Sequence, residues 1–409
     1  MSKGHLAHSP ERGRLLVVGA GISGLAACAV ARERGLNPIL INSGTGASAL
    51  TSGAVGYNES RASSEKGESI ASALDGKWAR NFLETLGLYR GGASWVATYE
   101  GIVRPAQMVG ELVLSLDEHK GKTIGVIDIG RGDFCAERLA SAYRQEEWSR
   151  RSRTQFTPLK LSSVWSPVEA SYPLAHFCRL LDEKERFYRF QRELLSIKDQ
   201  FPELGAFLLG PWLGVETKKP SEQVSLPFGE VLSPPEGPFG RRFLRARAHW
   251  LDKQNVQMHD EHVIALAFEE GGVRVESRTP EGEPVYRWVE GLVVATGGLL
   301  GGGVGLKGSF RGAPADLCLE LAHGVEVEGA SLRGEISGWD AQEAGGAWIR
   351  SPHWRQNRAA PLATNLIQIA GDASPRDAGG GGGTIMHAVI SARRAALRTP
   401  PLLGCPAPS

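Results

Sequence analysis

Three glycines spaced Gly-x-Gly-x-x-Gly, at Gly19, Gly21 and Gly24, follow directly on the apolar run Leu15-Leu16-Val17-Val18. Four apolar residues, two of them β-branched, suit a strand buried on both faces, and Ile22 to Arg34 has the composition of a helix. The glycines are therefore predicted in a strand-to-helix turn that can hold a pyrophosphate. Gly19 makes the tight turn, Gly21 lets the anion approach the backbone, and Gly24 lets the helix pack on the strand. The free N–H groups at Ile22 and Ser23 then face the phosphate oxygens. Pro38 to Asn42 reads as a second short buried strand that completes a βαβ unit. It ends in Asn42 and Ser43, where an acid usually holds an adenosine ribose.

Three later segments carry the rest of a cofactor site. Ser43 to Tyr57 is built from small residues, among them Ser52 and Gly53. It reads either as a flexible loop or as a backbone-rich loop lying along a flat cofactor, and its position just after the cradle favours the second. Gly291 to Gly298 is a short apolar strand ending in Ala295, Thr296 and Gly297, and such a strand end lies on the sheet edge where ligands sit. Asn365 to Asp372 is one more apolar strand, ending in Gly371 and Asp372. It is followed by the glycine run Gly379 to Gly383 and a predicted helix from Thr384 to Leu397.

The elements that must position these residues are predicted as follows. Ile70 to Leu88, Arg104 to His119 and Tyr172 to Leu195 read as amphipathic helices, Thr123 to Ile129 as a strand, and Phe134 to Arg153 as a basic helical stretch. Gly210 to Gly214 and Ser233 to Gly240 read as rigid breaks bounding an inserted domain. Phe243 to Leu251 resumes as helix, and Val263 to Val275 with Val285 to Val289 reads as a β-meander. His259 and His262 fall in a polar stretch expected to be a solvated turn.

Composition narrows the classes of function. At 409 residues, 42% hydrophobic and 22% charged, the chain has volume for two domains or one large composite domain. A net charge of +1, from 46 basic and 45 acidic residues, gives no field to attract nucleic acid or an anionic membrane. Cys28, Cys135, Cys178, Cys318 and Cys405 are scattered, a spacing that builds no iron–sulfur or structural zinc site. No metal is expected, and reduced thiols fit a cytoplasmic chain. The uncharged stretch Leu15 to Ala31 is long enough to raise a membrane span, but its glycines and the Gly-Leu-Asn-Pro stop at residues 35–38 argue against one. Met1 to Arg14 lacks an apolar core of the signal-peptide kind and is expected to be a frayed tail.

In this order the glycine cradle, the small-residue loop, Ala-Thr-Gly-Gly and the C-terminal Ala-Gly-Asp before a glycine-led helix resemble a two-dinucleotide-type flavoprotein. The resemblance implies an α/β chain with a Rossmann-like flavin-binding domain of the glutathione-reductase or fumarate-reductase kind and an inserted α+β substrate or docking domain. It also implies that the Ala-Thr-Gly-Gly strand packs beside the adenosine half and that Asp372 bonds the ribitol chain. The helix from Gly383 and Thr384 would turn its positive end to the flavin ring. The flavin domain is expected over residues 13–60, 238–310 and 362–398, the inserted domain over 61–237 and 311–361, and tails at 1–12 and 399–409.

Further blocks narrow the resemblance to the anaerobic glycerol-3-phosphate dehydrogenase family, and within it to the B-type flavoprotein component. They are Ser48 to Gly53, Tyr99 to Pro105, Ile124 to Phe134, Leu209 to Gly214 and Ser233 to Arg242. The resemblance implies a flavin-bearing subunit that oxidises sn-glycerol 3-phosphate to dihydroxyacetone phosphate. Its electrons would pass toward quinone through a catalytic flavoprotein subunit and an iron–sulfur membrane-anchoring subunit. It further implies a cytoplasmic location, peripheral at the inner membrane only through those partners. Asn42 stands in place of the ribose acid; the family often lacks that acid and is described as using FMN, so FAD and FMN both stay open, and Gly379 to Gly383 replaces a stretch in which the family carries an acid and a thiol. Arg241 and Arg350, with Arg104 and Arg376, are candidates for an anionic substrate, and His353 for a base. Two alternatives stand beside this reading: a fumarate-reductase-like enzyme acting on another small acid, and a non-catalytic docking subunit that keeps the flavoprotein fold.

Overall fold

The computed structural model describes residues 15–56, 70–161, 164–216, 227–235, 237–269 and 272–296, with the segments 304–307, 318–321, 326–327, 367–369 and 385–398. Single-turn helices aside, the chain runs β1 (Leu15–Val18), α1 (Ile22–Glu33), β2 (Ile39–Asn42), β3 (Ala54–Gly56), α2 (Ile70–Thr85), β4 (Tyr89–Ala97) and β5 (Val103–Gly110). It continues with β6 (Thr123–Asp128), α3 (Ala136–Gln145), α4 (Glu147–Ser152), β7 (Gln155–Lys160), α5 (Lys184–Gln200), β8 (Leu204–Leu209), β9 (Phe228–Glu230) and α6 (Pro238–Lys253). Then come β10 (Gln257–Asp260), β11 (His262–Glu269), β12 (Gly272–Arg278), β13 (Pro284–Val289), β14 (Gly291–Val294), β15 (Val304–Lys307), β16 (Cys318–Leu321), β17 (Glu326–Val327), β18 (Ile367–Ile369) and α7 (Ile385–Arg398). Contacts divide the chain into two compact units, residues 1–48, 60–82 and 247–409, and residues 49–59 and 83–246. No helix among the described residues is long and apolar enough to cross a membrane.

The first unit holds a five-stranded parallel sheet in the order β10-β2-β1-β14-β18. Counting strands along the chain, this is the 3-2-1-4-5 order of a doubly wound nucleotide-binding sheet. All four residues of β1 and of β14 are buried, as strands covered on both faces require. Helix α1 packs on α7 through small side chains: Ala26, Ala27, Ala31, Ala388, Ala392 and Ala396 are all buried. Arg34 closes the pair by donating from Nη1 to the Ala396 carbonyl at 2.5 Å. The chain passes from the third to the fourth strand of the sheet through the antiparallel strands β11, β12 and β13, whose inner residues Leu266, Val273, Val275 and Val289 share a core with the sheet.

The second unit holds a four-stranded sheet in the order β7-β6-β8-β9, with every pair parallel, and a three-stranded antiparallel sheet β3-β5-β4. Its core gathers Phe134, Tyr143, Phe156, Phe190, Phe207 and Trp212, each fully buried. Helices cross over from β6 to β7 and from β7 to β8, while β3, β5 and β4 are purely antiparallel. At the edge of this core Glu230 and Arg242 form a buried pair, with Nη1 to Oε2 at 2.5 Å and Nη2 to Oε1 at 2.9 Å.

Three readings of the sequence are corrected by these elements. Arg104 to His119 is no helix: it is β5, a turn, and a 3-10 turn over Leu116–His119. Pro105 sits opposite Trp95 in the β4–β5 ladder, and a proline inside that stretch already disfavours a helix. Tyr172 to Leu195 is broken, with a single helical turn at Leu174–Phe177, a 3-10 turn at Cys178–Asp182 and then α5. Gln257 to Asp260, expected as a solvated turn, is the edge strand β10, paired residue for residue with β2. Its polar composition reflects an edge position, where side chains reach solvent.

The basic stretch is helical as expected, in α3 and α4, and the side chains of two of its five arginines have partners among the described residues. Arg144 donates to the Phe156 carbonyl at 2.9 Å, and Arg151 pairs with Glu147 one helical turn away.

Candidate functional site

The cradle forms where β1 turns into α1. Gly19 has φ +108°, a conformation that side-chain-bearing residues rarely adopt, and a Cβ there would collide with the Ala295 carbonyl. Its N–H donates to the Ile41 carbonyl at 2.8 Å, and the Ala295 N–H donates to the Val18 carbonyl at 2.7 Å, so the turn is held from both neighbouring strands. A Cβ at Gly24 would fall on the Gly19 carbonyl oxygen, so close packing of helix on turn requires glycine there. Gly21 differs from both. Among the described residues, the only atoms within 4 Å of a Cβ there belong to Ser48, with Oγ at 3.0 Å.

Helix α1 begins without a side chain of its own as cap and without an acid in its first turn. Its first intrahelical bond runs from Leu25 to Gly21 at 3.1 Å, which leaves the amides ahead of Leu25 for other acceptors. Ser48 Oγ takes one of them, accepting from the Ile22 N–H at 2.9 Å. Ser48 belongs to the small-residue segment but was not among the expected site residues. Its signal in the sequence was only its type, since nothing local links positions 26 residues apart. Replacing this cap, Ser48→Ala, should lower stability by about 1 kcal/mol, read from urea unfolding. Ser23 is buried behind the turn.

At the carboxyl edge of the same sheet, Asn42 ends β2. Its side-chain amide donates to Asp260 Oδ1 at 3.2 Å, and its carbonyl accepts from the Glu261 N–H at 2.9 Å. Ser43 is exposed, Ala295 is buried, and Thr296 is half-buried beside it. Arg247 Nη1 donates to the Ala20 carbonyl, inside the cradle turn, at 3.2 Å. Burial lowers the pKa of Arg247, and the charge of Asp260 opposes that shift. Sequence reasoning missed both Arg247 and Asp260.

Ser52 and Gly53 lie in the second unit. Gly53 has φ +97°, and a Cβ there would meet the Phe239 ring. The Ser52 carbonyl accepts from the Ser233 N–H at 2.9 Å, and Ser52 Oγ accepts from Arg104 at 3.4 Å. Arg104, a candidate for anion binding, is thus brought to the small-residue segment, and burial lowers its pKa. Arg241 is half-buried on α6, and its charge acts on the Cys178 thiol, which burial pushes up to about 11. Gly297, Arg350, His353, Gly371, Asp372, Arg376, Gly383 and Thr384 lie outside the described residues. Among the described residues no cluster of three or more metal-ligating side chains occurs.

No family model matches the sequence, and no curated protein matches it. Solved structures resembling the fold include CabE, an aromatic hydroxylase from angucycline biosynthesis, at 11% identity and a TM-score of 0.35 over 95% of this chain and 63% of that one. AlpK follows at 12% identity and a TM-score of 0.33, over 93% of this chain and 60% of that one. The 3-ketosteroid delta1-dehydrogenase from Sterolibacterium denitrificans, at 12% identity and a TM-score of 0.29, covers 70% of this chain and 48% of that one. The chain thus spans less than two thirds of the length of each of these proteins. With every score below 0.5, function is read from the chain's own residues.

Proposed function

We propose that this chain is a flavin-dependent oxidoreductase subunit whose β1–α1 turn holds the phosphates of the cofactor. One observation carries the reading: Gly19 and Gly24 are closed against backbone, while Gly21, at the amino end of a helix with no acid in its first turn, faces little besides the Ser48 hydroxyl among the described residues. A turn whose outer glycines serve packing and whose middle glycine is open on one side suits a phosphate group. The sheet order supports it, since ligands of doubly wound sheets sit outside the carboxyl ends of the strands. When bound, the flavin supplies a two-electron acceptor. The chain's part is to bind and orient it, with Gly19, Gly21, Ser23 and Gly24 forming the phosphate turn, the Ile22 N–H being taken by Ser48 Oγ instead of the expected phosphate, and Ala295 and Thr296 on the next strand.

The finer reading follows the sequence resemblance. The substrate is sn-glycerol 3-phosphate, oxidised to dihydroxyacetone phosphate, and the electrons leave toward quinone through partner subunits. Arg104 supports an anionic substrate, being a partly buried cation tied to Ser52. Purified protein is expected to show a flavin absorption spectrum, with the cofactor identified by chromatography after release. Dye reduction by glycerol 3-phosphate, measured with the chain alone and then with its partner subunits, tests the substrate. A colourless protein that binds neither added FAD nor added FMN refutes the flavin reading. A flavin-loaded complex that glycerol 3-phosphate does not reduce refutes the substrate.

A further inference from the structure

The end of β2 carries Asn42, a neutral residue, where the adenosine ribose of a dinucleotide is usually held by a carboxylate. The sheet places a carboxylate one strand over. Strand β10 runs parallel to β2 in the register Gln257 to Ile39 through Asp260 to Asn42, so both residues end their strands at the same carboxyl edge. That is the edge at which Gly19 bonds Ile41 and the cradle opens. Asn42 donates its side-chain N–H to Asp260 Oδ1 at 3.2 Å, which fixes the carboxylate beside it. Asp260 is exposed, and its Oδ2 accepts no hydrogen bond among the described residues. Arg247 links this corner to the cradle, since it donates to the Ala20 carbonyl and lies within the field of Asp260.

We propose that Asp260, positioned by Asn42, is the acceptor for the hydroxyls of an adenosine ribose, and that the site is therefore built for FAD over FMN. The proposal rests on the flavin reading above and deepens it. A ribose diol presents two O–H donors, and a carboxylate with one committed oxygen and one open oxygen can accept from them in a charge-assisted geometry. FMN ends at its phosphate and has no group to reach this corner. Asp260 thus separates the two cofactors by chemistry that the β2 end alone, with its amide, lacks.

The test is a titration of cofactor-stripped protein with FAD and, separately, with FMN, followed by quenching of flavin fluorescence, on wild type, Asp260→Asn and Asp260→Ala. Wild type is expected to bind FAD at least about tenfold more tightly than FMN. Both variants should weaken FAD binding by about 10- to 100-fold, the range of a charge-assisted hydrogen bond, and leave FMN binding within about twofold. A merely structural role at the sheet edge would weaken both flavins by the same factor, and that result overturns the assignment. Unchanged FAD binding in both variants overturns it too. Wild type that binds neither flavin overturns the flavin reading itself, an outcome distinct from a wild type that binds FAD beside indifferent variants.

Discussion

Gly21→Val should abolish flavin binding in a chain that still folds, whereas Gly24→Ala should fail to fold properly before binding can be asked about. The two glycines are three residues apart in one motif, yet their surroundings are opposite. A Cβ at Gly24 falls on the Gly19 carbonyl, and Gly19 cannot move aside, since its N–H is held by Ile41 and Ala295 closes over it. Overpacking typically costs about 1–3 kcal/mol, and a clash with backbone held on both sides lies at or above the top of that range. Among the described residues a Cβ at Gly21 meets Ser48 alone, with Oγ at 3.0 Å, and a side-chain hydroxyl can turn aside. The valine methyl groups then fill the space in front of the first amides of α1, where phosphate oxygens need backbone contact. Flavin affinity should fall by about 100-fold or more, while the cost to stability stays near 1 kcal/mol. Thermal unfolding and flavin absorbance, measured on both variants, separate these effects. A Gly21→Val protein that retains wild-type flavin affinity would show that the phosphates do not lie in this turn.

The cradle was legible because its constraints are local. Leu15 to Gly24 holds a buried strand, a turn and a helix start within ten residues, and Gly24 answers to a neighbour in that stretch and Gly19 to the end of the strand beside it. Strand β14 was legible for the same reason, as an unbroken apolar run at the sheet centre. Polar edge strands were not. Gln257 to Asp260 has no apolar alternation to announce a strand, and pairing with β2 alone makes it one. Reading it as a turn hid Asp260, the carboxylate that stands beside Asn42 on the next strand. Ser48 and Arg247 were hidden for a related reason: Arg247 reaches a carbonyl 227 positions away, and no spacing rule spans that distance. The parallel sheet of the second unit was half visible. β6 reads plainly as a strand, but its neighbour β7 carries Pro158 and alternates polar residues at the sheet edge.

Arg242→Met should destabilise the second unit by about 3–5 kcal/mol, the usual effect of leaving a buried charge without its partner. Glu230 is fully buried, and burial raises its pKa against the pull of Arg242 and of the Leu213 N–H. Removing Arg242 leaves that carboxyl to be buried without its cation. The pair also holds the Gly210 to Gly214 turn. Arg242 donates to the Leu213 carbonyl and, at 2.9 Å, to the Gly214 carbonyl, while Glu230 Oε1 accepts from the Leu213 N–H at 2.5 Å. An isolated buried ion pair can often be exchanged for apolar side chains at little cost. Here the double variant Glu230→Leu/Arg242→Met should recover only part of the loss, because three backbone groups of Leu213 and Gly214 stay buried without partners, at about 1–3 kcal/mol each. Urea unfolding followed by tryptophan fluorescence reads this, since Trp212 lies fully buried in the same turn against Phe134. A double variant as stable as wild type would mean that the pair contributes charge compensation alone and that the turn is held by the packing of Trp212.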